Sequence, residues 1–336
     1  MKNKQSQPKP QKKFKLTFNG VLILITLLIF IIIASINSAF LYPDYIVGVM
    51  LKNIVEIGLI ALPMTLIIIT GGIDLSVGSI LVLSAMTGGI VATSHGAVAG
   101  VIATFVTGAL CGLFNGFVIA KLNISPFIAT LATSYLFLGI ARGMSLGNSV
   151  YTYDATTFLG TTDIFGLPIQ IIIYILFAVA FFLILAKTTL GRRLYGIGLN
   201  EHATKYSGIN TNKVKMGIYA LNGVVCAIAA LIWLGRFTSI KYDAGNGLGL
   251  TVVTVIVLGG TSILGGYGDM KGTIIATLIM AILNSGLTVL NIPIATQAIV
   301  HGIVLAVSLI AYALFNERLK NSKIIKIEVQ EDPSIQ

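Results

Sequence analysis

The chain has 336 residues, 56% of them apolar and only 10% charged, with 36 glycines, 8 prolines and a formal net charge of +10. Soluble domains carry roughly a quarter charged residues, so a mean hydropathy of +0.94 excludes a soluble enzyme, a disordered scaffold and a secreted disulfide module. Unbroken apolar runs of about twenty residues, in place of alternating ten-residue segments, exclude an outer-membrane barrel and leave an all-α polytopic membrane protein.

Residues 1–18 form a basic tail containing Lys2, Lys4, Lys9, Lys12, Lys13 and Lys15 with no acid. The apolar run Val21–Ile36 follows; many further runs come after it, so it reads as an uncleaved first helix and not a signal peptide. Further spans are expected at 47–70, 77–94, 97–120, 126–142, 167–186, 216–235, 249–265, 272–290 and 295–315, which makes ten and places the membrane domain at 19–316, with a tail at 317–336. Between residues 21 and 186 there are just eight charges, among them Lys52, Glu56, Asp74, Lys121 and Arg142, too few for a soluble domain. An amino terminus in the cytoplasm puts 18 of the 22 basic residues on one side, so both termini are expected to be cytoplasmic. Gly143–Phe165 and Arg236–Gly247 then read as external loops. The cationic clusters lie beside apolar runs, so they read as topology signals, with no nucleic-acid partner. Cys111 and Cys226 fall inside apolar runs and read as reduced packing thiols.

The stretch 112–130 resembles 281–296: each ends a helix, turns through Leu-Asn-Ile and starts another. The copies are offset by five spans, and an odd offset inverts one across the bilayer, as in transporters built from a five-helix inverted repeat.

Chemistry concentrates in a few places. Thr70-Gly-Gly-Ile-Asp-Leu-Ser-Val-Gly-Ser79 pairs helix-ending glycines with Asp74 and Ser76, which can cap the next helix; alternatively, an unwound segment at membrane depth lets Asp74 accept from substrate hydroxyls. Glu56 must face the interior or sit near an end with Lys52. Asn115, Asn222, Asn284 and Gln297 serve interhelical bonding or a pathway, and Asp74, Ser76, Asn115 and Asn284 are the candidate pathway residues. His301 lacks companions at ligand spacing, so no metal is expected, and Trp233 reads as an interfacial anchor. In the loop 187–215, Asn200 is expected to cap a helix over Glu201–Tyr206 that Gly208 ends; a short capped helix suits a docking surface, whereas a merely solvated basic loop would not need the cap. No Gly-x-x-x-x-Gly-Lys-Ser/Thr occurs, so ATP is not bound by a P-loop and no cofactor is implied.

Over about residues 45–318 the sequence resembles the membrane permease subunits of ribose-type ABC importers, which belong with the branched-chain amino acid permeases. The motifs are the 70–79 string, Asn115-Gly116, Pro126-Phe-Ile-Ala-Thr-Leu131, Gly191-Arg192 with Gly198-Leu-Asn-Glu-His-Ala203 and Ser207-Gly-Ile-Asn210, and Leu258-Gly-Gly-Thr-Ser-Ile-Leu-Gly-Gly266. The resemblance implies a permease of the bacterial plasma membrane that pairs with a second permease subunit, docks on a cytoplasmic ATP-binding subunit and receives a monosaccharide from an extracytoplasmic solute-binding protein. It places Glu201, Ala203, Ser207 and Gly208 in the ATPase-docking loop. One departure bears on substrate: the family pattern Tyr-Glu-Leu-Asp-Ala-Ile-Ala-Ala is replaced by Leu248-Gly-Leu-Thr-Val-Val-Thr-Val255, with Gly249 and Thr251 where carboxylates stand. A heterodimer, or an ABC permease for a non-sugar solute, therefore stays open. An ion-coupled secondary transporter needs ionisable site groups, for which only Glu56 and Asp74 are candidates, and a channel needs a filter motif that is not seen.

Overall fold

The computed structural model describes residues 18–293, 296–308 and 310. It is a bundle of helices: α1 (Phe18–Ile36), α2 (Pro43–Ile69), α3 (Val77–His95), α4 (Ala97–Lys121), α5 (Pro126–Ser145), α6 (Asp154–Thr161), α7 (Ile169–Lys187), α8 (Thr189–Leu199), α9 (Glu201–Tyr206), α10 (Thr211–Phe237), α11 (Leu248–Leu258), α12 (Met270–Val289) and α13 (Thr296–Ser308). Eight of these are long and apolar enough to cross a membrane, and α11 and α13 are shorter apolar helices. The chain is thus a polytopic α-helical membrane protein. The tails expected at 1–18 and 317–336 lie, but for Phe18, outside the described residues.

α2 is the axis of the bundle. From Val55 to Ile69 every residue but Ile57 is buried, which is how a helix reads when it is apolar all round and surrounded by protein. It starts at Pro43, whose missing N–H costs nothing at a helix start, and winds through a π turn (Ile46–Met50) and a 3-10 turn (Lys52–Ile54) before becoming regular. α1 lies outside, with only Leu22 and Ile33 buried. Ile29, Phe30 and Ala34 also pack against the core, and Asn19 donates to Asp269; most other α1 side chains are exposed and apolar, a surface that costs nothing in lipid.

Glycines set the tightest packing. Gly108, Gly112 and Gly116 recur every fourth residue along one stripe of α4, and a Cβ on any of them would run into the backbone of α10 at Gly223, Tyr219 or Met216. In lipid no hydrophobic drive presses helices together, so close backbone approach supplies the contact.

Between α5 and α7 the chain is more ordered than a Thr- and Gly-rich loop. Val150–Tyr151 (β1) pairs antiparallel with Ser239–Ile240 (β4), α6 follows, and Asp163–Ile164 (β2) pairs with Leu167–Pro168 (β3). Phe165 and Gly166, both at positive φ, close that hairpin with the handedness that suits a strand twist. The span expected at 249–265 is also corrected. α11 stops at Leu258, because Gly259 packs on the backbone of Gly272 and Gly260 turns at φ +86°, and 259–268 is a glycine-rich turn.

Candidate solute pathway and docking surface

The 70–76 segment is unwound, with Gly72, Asp74 and Ser76 buried. Asp74 is 0% exposed, and its carboxylate accepts from the Ser76 N–H (3.0 Å), the Ser76 hydroxyl (2.6 Å) and Asn222 Nδ2 (3.0 Å). Asn115 Nδ2 donates to Ser76 Oγ at 2.7 Å, tying α4 into the same network. Thr130 on α5 clamps the segment's backbone, accepting from the Leu75 N–H at 3.1 Å while its own proton is shared between the carbonyls of Ile73 and Pro126. Asp74 therefore does not cap the first turn of α3, whose N-cap is Ser76 with no side-chain cap. It crosslinks the loop to α10. Three of the four pathway candidates, Asp74, Ser76 and Asn115, come together here, but in closed packing. The sequence shows Asn222 only as a generic helix amide, and nothing local marks it as the partner of Asp74.

Asn284 lies elsewhere, lining a cavity of about 710 Å³ at the end of the bundle remote from the 187–215 loop. Here Arg236 closes α10 and answers Glu56 of α2: its Nη1 donates to both carboxylate oxygens (2.7 and 2.6 Å) and to the Lys52 carbonyl (2.6 Å), and its Nη2 donates to Asn53 Oδ1 (2.7 Å). The expected partner Lys52 instead pairs loosely with Asp163 at 3.9 Å. Helix α10 runs on to Phe237, so Arg236 is a helix residue and not the start of a loop. A buried carboxylate is tolerated where a cation and further donors satisfy it, and this one is fully satisfied. His301 of α13 hydrogen-bonds Asn284 Oδ1 at 2.6 Å. Trp233, expected as a membrane-interface anchor, is half-buried on the cavity wall against Phe237, ring centroids 5.1 Å apart.

At the opposite end, α8 and α9 form a continuous face. Thr188 Oγ1 accepts from the Gly191 N–H to start α8, and Gly191 has no room for a Cβ beside the Leu185 carbonyl. Asn200 Oδ1 accepts from the Ala203 N–H at 2.9 Å, Ser207 donates to the Ala203 carbonyl at 3.0 Å, and Gly208 at φ +83° turns the chain into α10. Glu201 pairs with Lys215, fixing α9 to α10. Arg192 is exposed, as are the large side chains of Leu199 (75%), Tyr206 (91%) and Leu264 (88%). The Tyr195 hydroxyl donates to the Gly268 carbonyl at 2.7 Å, and burial first, then Asp269 and Tyr267, push its pKa above the usual tyrosine range.

A helical membrane bundle with a largely apolar cavity carrying a few polar side chains at one end, and an uncovered amphipathic face at the other, suits a transport subunit that acts with partners. Residues 45–309 match the family described as branched-chain amino acid transport system / permease component, and the chain belongs to it: it is a membrane permease subunit of an ABC importer, and not an enzyme. It is 38% identical over 297 residues to the ribose import permease protein of Bacillus subtilis (strain 168), covering 87% of this chain and 90% of that one. With the ribose import permease protein of Escherichia coli (strain K12) the identity is 36% over 295 residues, 85% and 91% of the two chains. With the autoinducer 2 import system permease protein of Escherichia coli O9:H4 (strain HS) it is 33% over 279 residues, 80% and 84%. No solved structure matches the chain. Permeases of this family imply ATP-binding and solute-binding partners.

Proposed function

We propose that the chain forms the translocation pathway of an ATP-driven importer for a small sugar-type solute, paired with a second permease subunit. The observation that carries the substrate class is the similarity, over most of both chains, to permeases named for ribose import. The chain crosses a bacterial inner membrane ten times, α11 and α13 counting as short spans, in two inverted five-helix halves. Both termini and the 187–215 loop face the cytoplasm, because that arrangement keeps 18 of 22 basic residues inside. Gly191, Arg192, Asn200, Glu201, Ala203, Ser207 and Gly208 build the face on which the ATP-binding subunit docks. The external solute-binding protein delivers to the opposite end. ATP binding then drives alternating access through the docked face. The network of Asp74, Ser76 and Asn115 sets the geometry of the 70–76 segment beside the pathway.

Gly249 and Thr251 in place of carboxylates, together with the similarity to an autoinducer 2 permease, favour as a second reading a polar solute other than ribose. A glutamate side chain in place of Gly249 would not fit this backbone, since a Cβ there lies 2.8 Å from the Leu75 carbonyl.

The test is uptake by proteoliposomes containing the chain, its ATP-binding subunit and the solute-binding protein. Uptake of D-ribose should require ATP and the ATP-binding subunit and should survive a protonophore. The chain by itself should hydrolyse no ATP. Protonophore-sensitive uptake by the chain alone would instead establish an ion-coupled transporter.

A further inference from the structure

The cavity bounded by α2, α10, α12 and α13 has features that together select a ligand class. It holds about 710 Å³, within the range of small-molecule sites. With histidine counted neutral, Glu56 and Arg236 are the only charged lining residues among the described residues, and each is occupied by the other: both carboxylate oxygens accept from Nη1, and Nη2 is engaged by Asn53. A zwitterion or an anion entering this cavity would lose its water without meeting a free counter-charge, which is costly.

The neutral groups, by contrast, keep unused hydrogen-bonding positions. Asn284 commits its oxygen to His301 and keeps Nδ2 free, and Asn53 commits its oxygen to Arg236 and keeps its own Nδ2. Gln297 donates Nε2 to the Ile292 carbonyl, leaving its oxygen free to accept. Two amide donors and an amide acceptor around one space suit hydroxyl groups, each of which both donates and accepts. Trp233 adds a flat apolar wall against which the carbon face of a ring can lie.

We propose that this cavity is a binding subsite for a neutral, polyhydroxylated solute of monosaccharide size, and that it rejects amino acids and sugar phosphates. The inference rests on the importer reading above and adds where, and by what chemistry, the solute is held within the permease.

Trp233 is the only tryptophan in the chain, so its emission reports this cavity and nothing else. The first experiment titrates the full-length chain in detergent micelles with D-ribose, L-leucine and D-ribose 5-phosphate while following Trp233 fluorescence. D-ribose should give a saturable change, the other two none, and Asn284→Ala should raise the half-saturating concentration by about tenfold, the worth of one hydrogen bond. No saturable response to D-ribose, or an equal response to L-leucine, overturns the proposal. A second experiment uses the assembled transporter carrying Asn284→Cys or, one turn on, Thr288→Cys. The native cysteines are both buried, so a neutral methanethiosulfonate marks the new thiol. Labelling should stop ATP-driven uptake, and D-ribose should slow labelling. Complete labelling of both variants with uptake unchanged refutes the subsite. The two readings fail separately: uptake intact with a silent Trp233 sinks the subsite alone, and a ribose-responsive Trp233 with no ATP-driven uptake sinks the importer alone.

Discussion

Asp74 offers the sharpest test of what the buried network does. Replacing it by alanine removes one acceptor from the Ser76 N–H and one from Asn222 Nδ2, both enclosed by protein, while the Ser76 hydroxyl can rotate. Each stranded buried donor costs about 1–3 kcal/mol, so Asp74→Ala should destabilise the chain by roughly 2–6 kcal/mol. Asparagine behaves differently. Its oxygen still accepts from Ser76, and its new amide meets Asn222, whose own Oδ1 has no partner and can be turned toward it by an amide flip. The loss is then one charge-assisted bond weakened to a neutral one and one donor displaced, about 1–2 kcal/mol. Unfolding of the full-length chain in detergent micelles, followed by far-UV dichroism, should rank the parent above asparagine and asparagine above alanine, with uptake by the asparagine variant retained once it is folded. An alanine variant as stable as the parent would refute the crosslink. A stable asparagine variant without uptake would show that the carboxylate charge acts on the solute or on movement, not on the fold.

Other outcomes follow from the same geometry. Glu56→Ala leaves the Arg236 guanidinium half-paired beside a helix end and should cost about 3–5 kcal/mol, with Glu56→Gln milder because it still accepts; thermal unfolding of the two variants checks the order. Gly223→Leu drives a side chain into the Gly108 carbonyl and should abolish recovery of monodisperse protein by size exclusion, whereas Gly143→Ala, with nothing within 4 Å of its Cβ, should not. Gly208 sits at φ +83°, which proline cannot reach, so Gly208→Pro should unseat α9 and lower co-purification of the ATP-binding subunit while membrane insertion is unchanged.

The features legible in the sequence are the ones that are local or rest on composition. Apolar runs locate the long helices, since a span needs about twenty apolar residues and little else. Asn200 and Gly208 mark both ends of α9, because a cap is chemistry between residues three or four apart. What escapes depends on residues distant in the chain: Asn222 is 148 positions from Asp74, and Arg236 is 180 from Glu56. Hydropathy also runs α11 through to residue 265, since a sliding apolar average does not register that Gly259 and Gly260 break a helix. Trp233 is a related case: an indole near a span end looks the same in sequence whether it faces lipid or a cavity, and the structure adds only that it lines one.

The 259–268 turn has a mechanical consequence. Its Gly266 N–H donates to the Ile69 carbonyl at the end of α2, its Gly268 carbonyl holds Tyr195 of α8, and Gly198 of α8 is wedged against both Ile69 and Gly266 with no room for a Cβ. Close-packed backbones of this kind do not compress. α8, the glycine-rich turn and the root of the 70–76 segment are therefore joined as one stiff unit. That segment, a run of turns and not a helix, is strung between this joint and its far pin at Asp74.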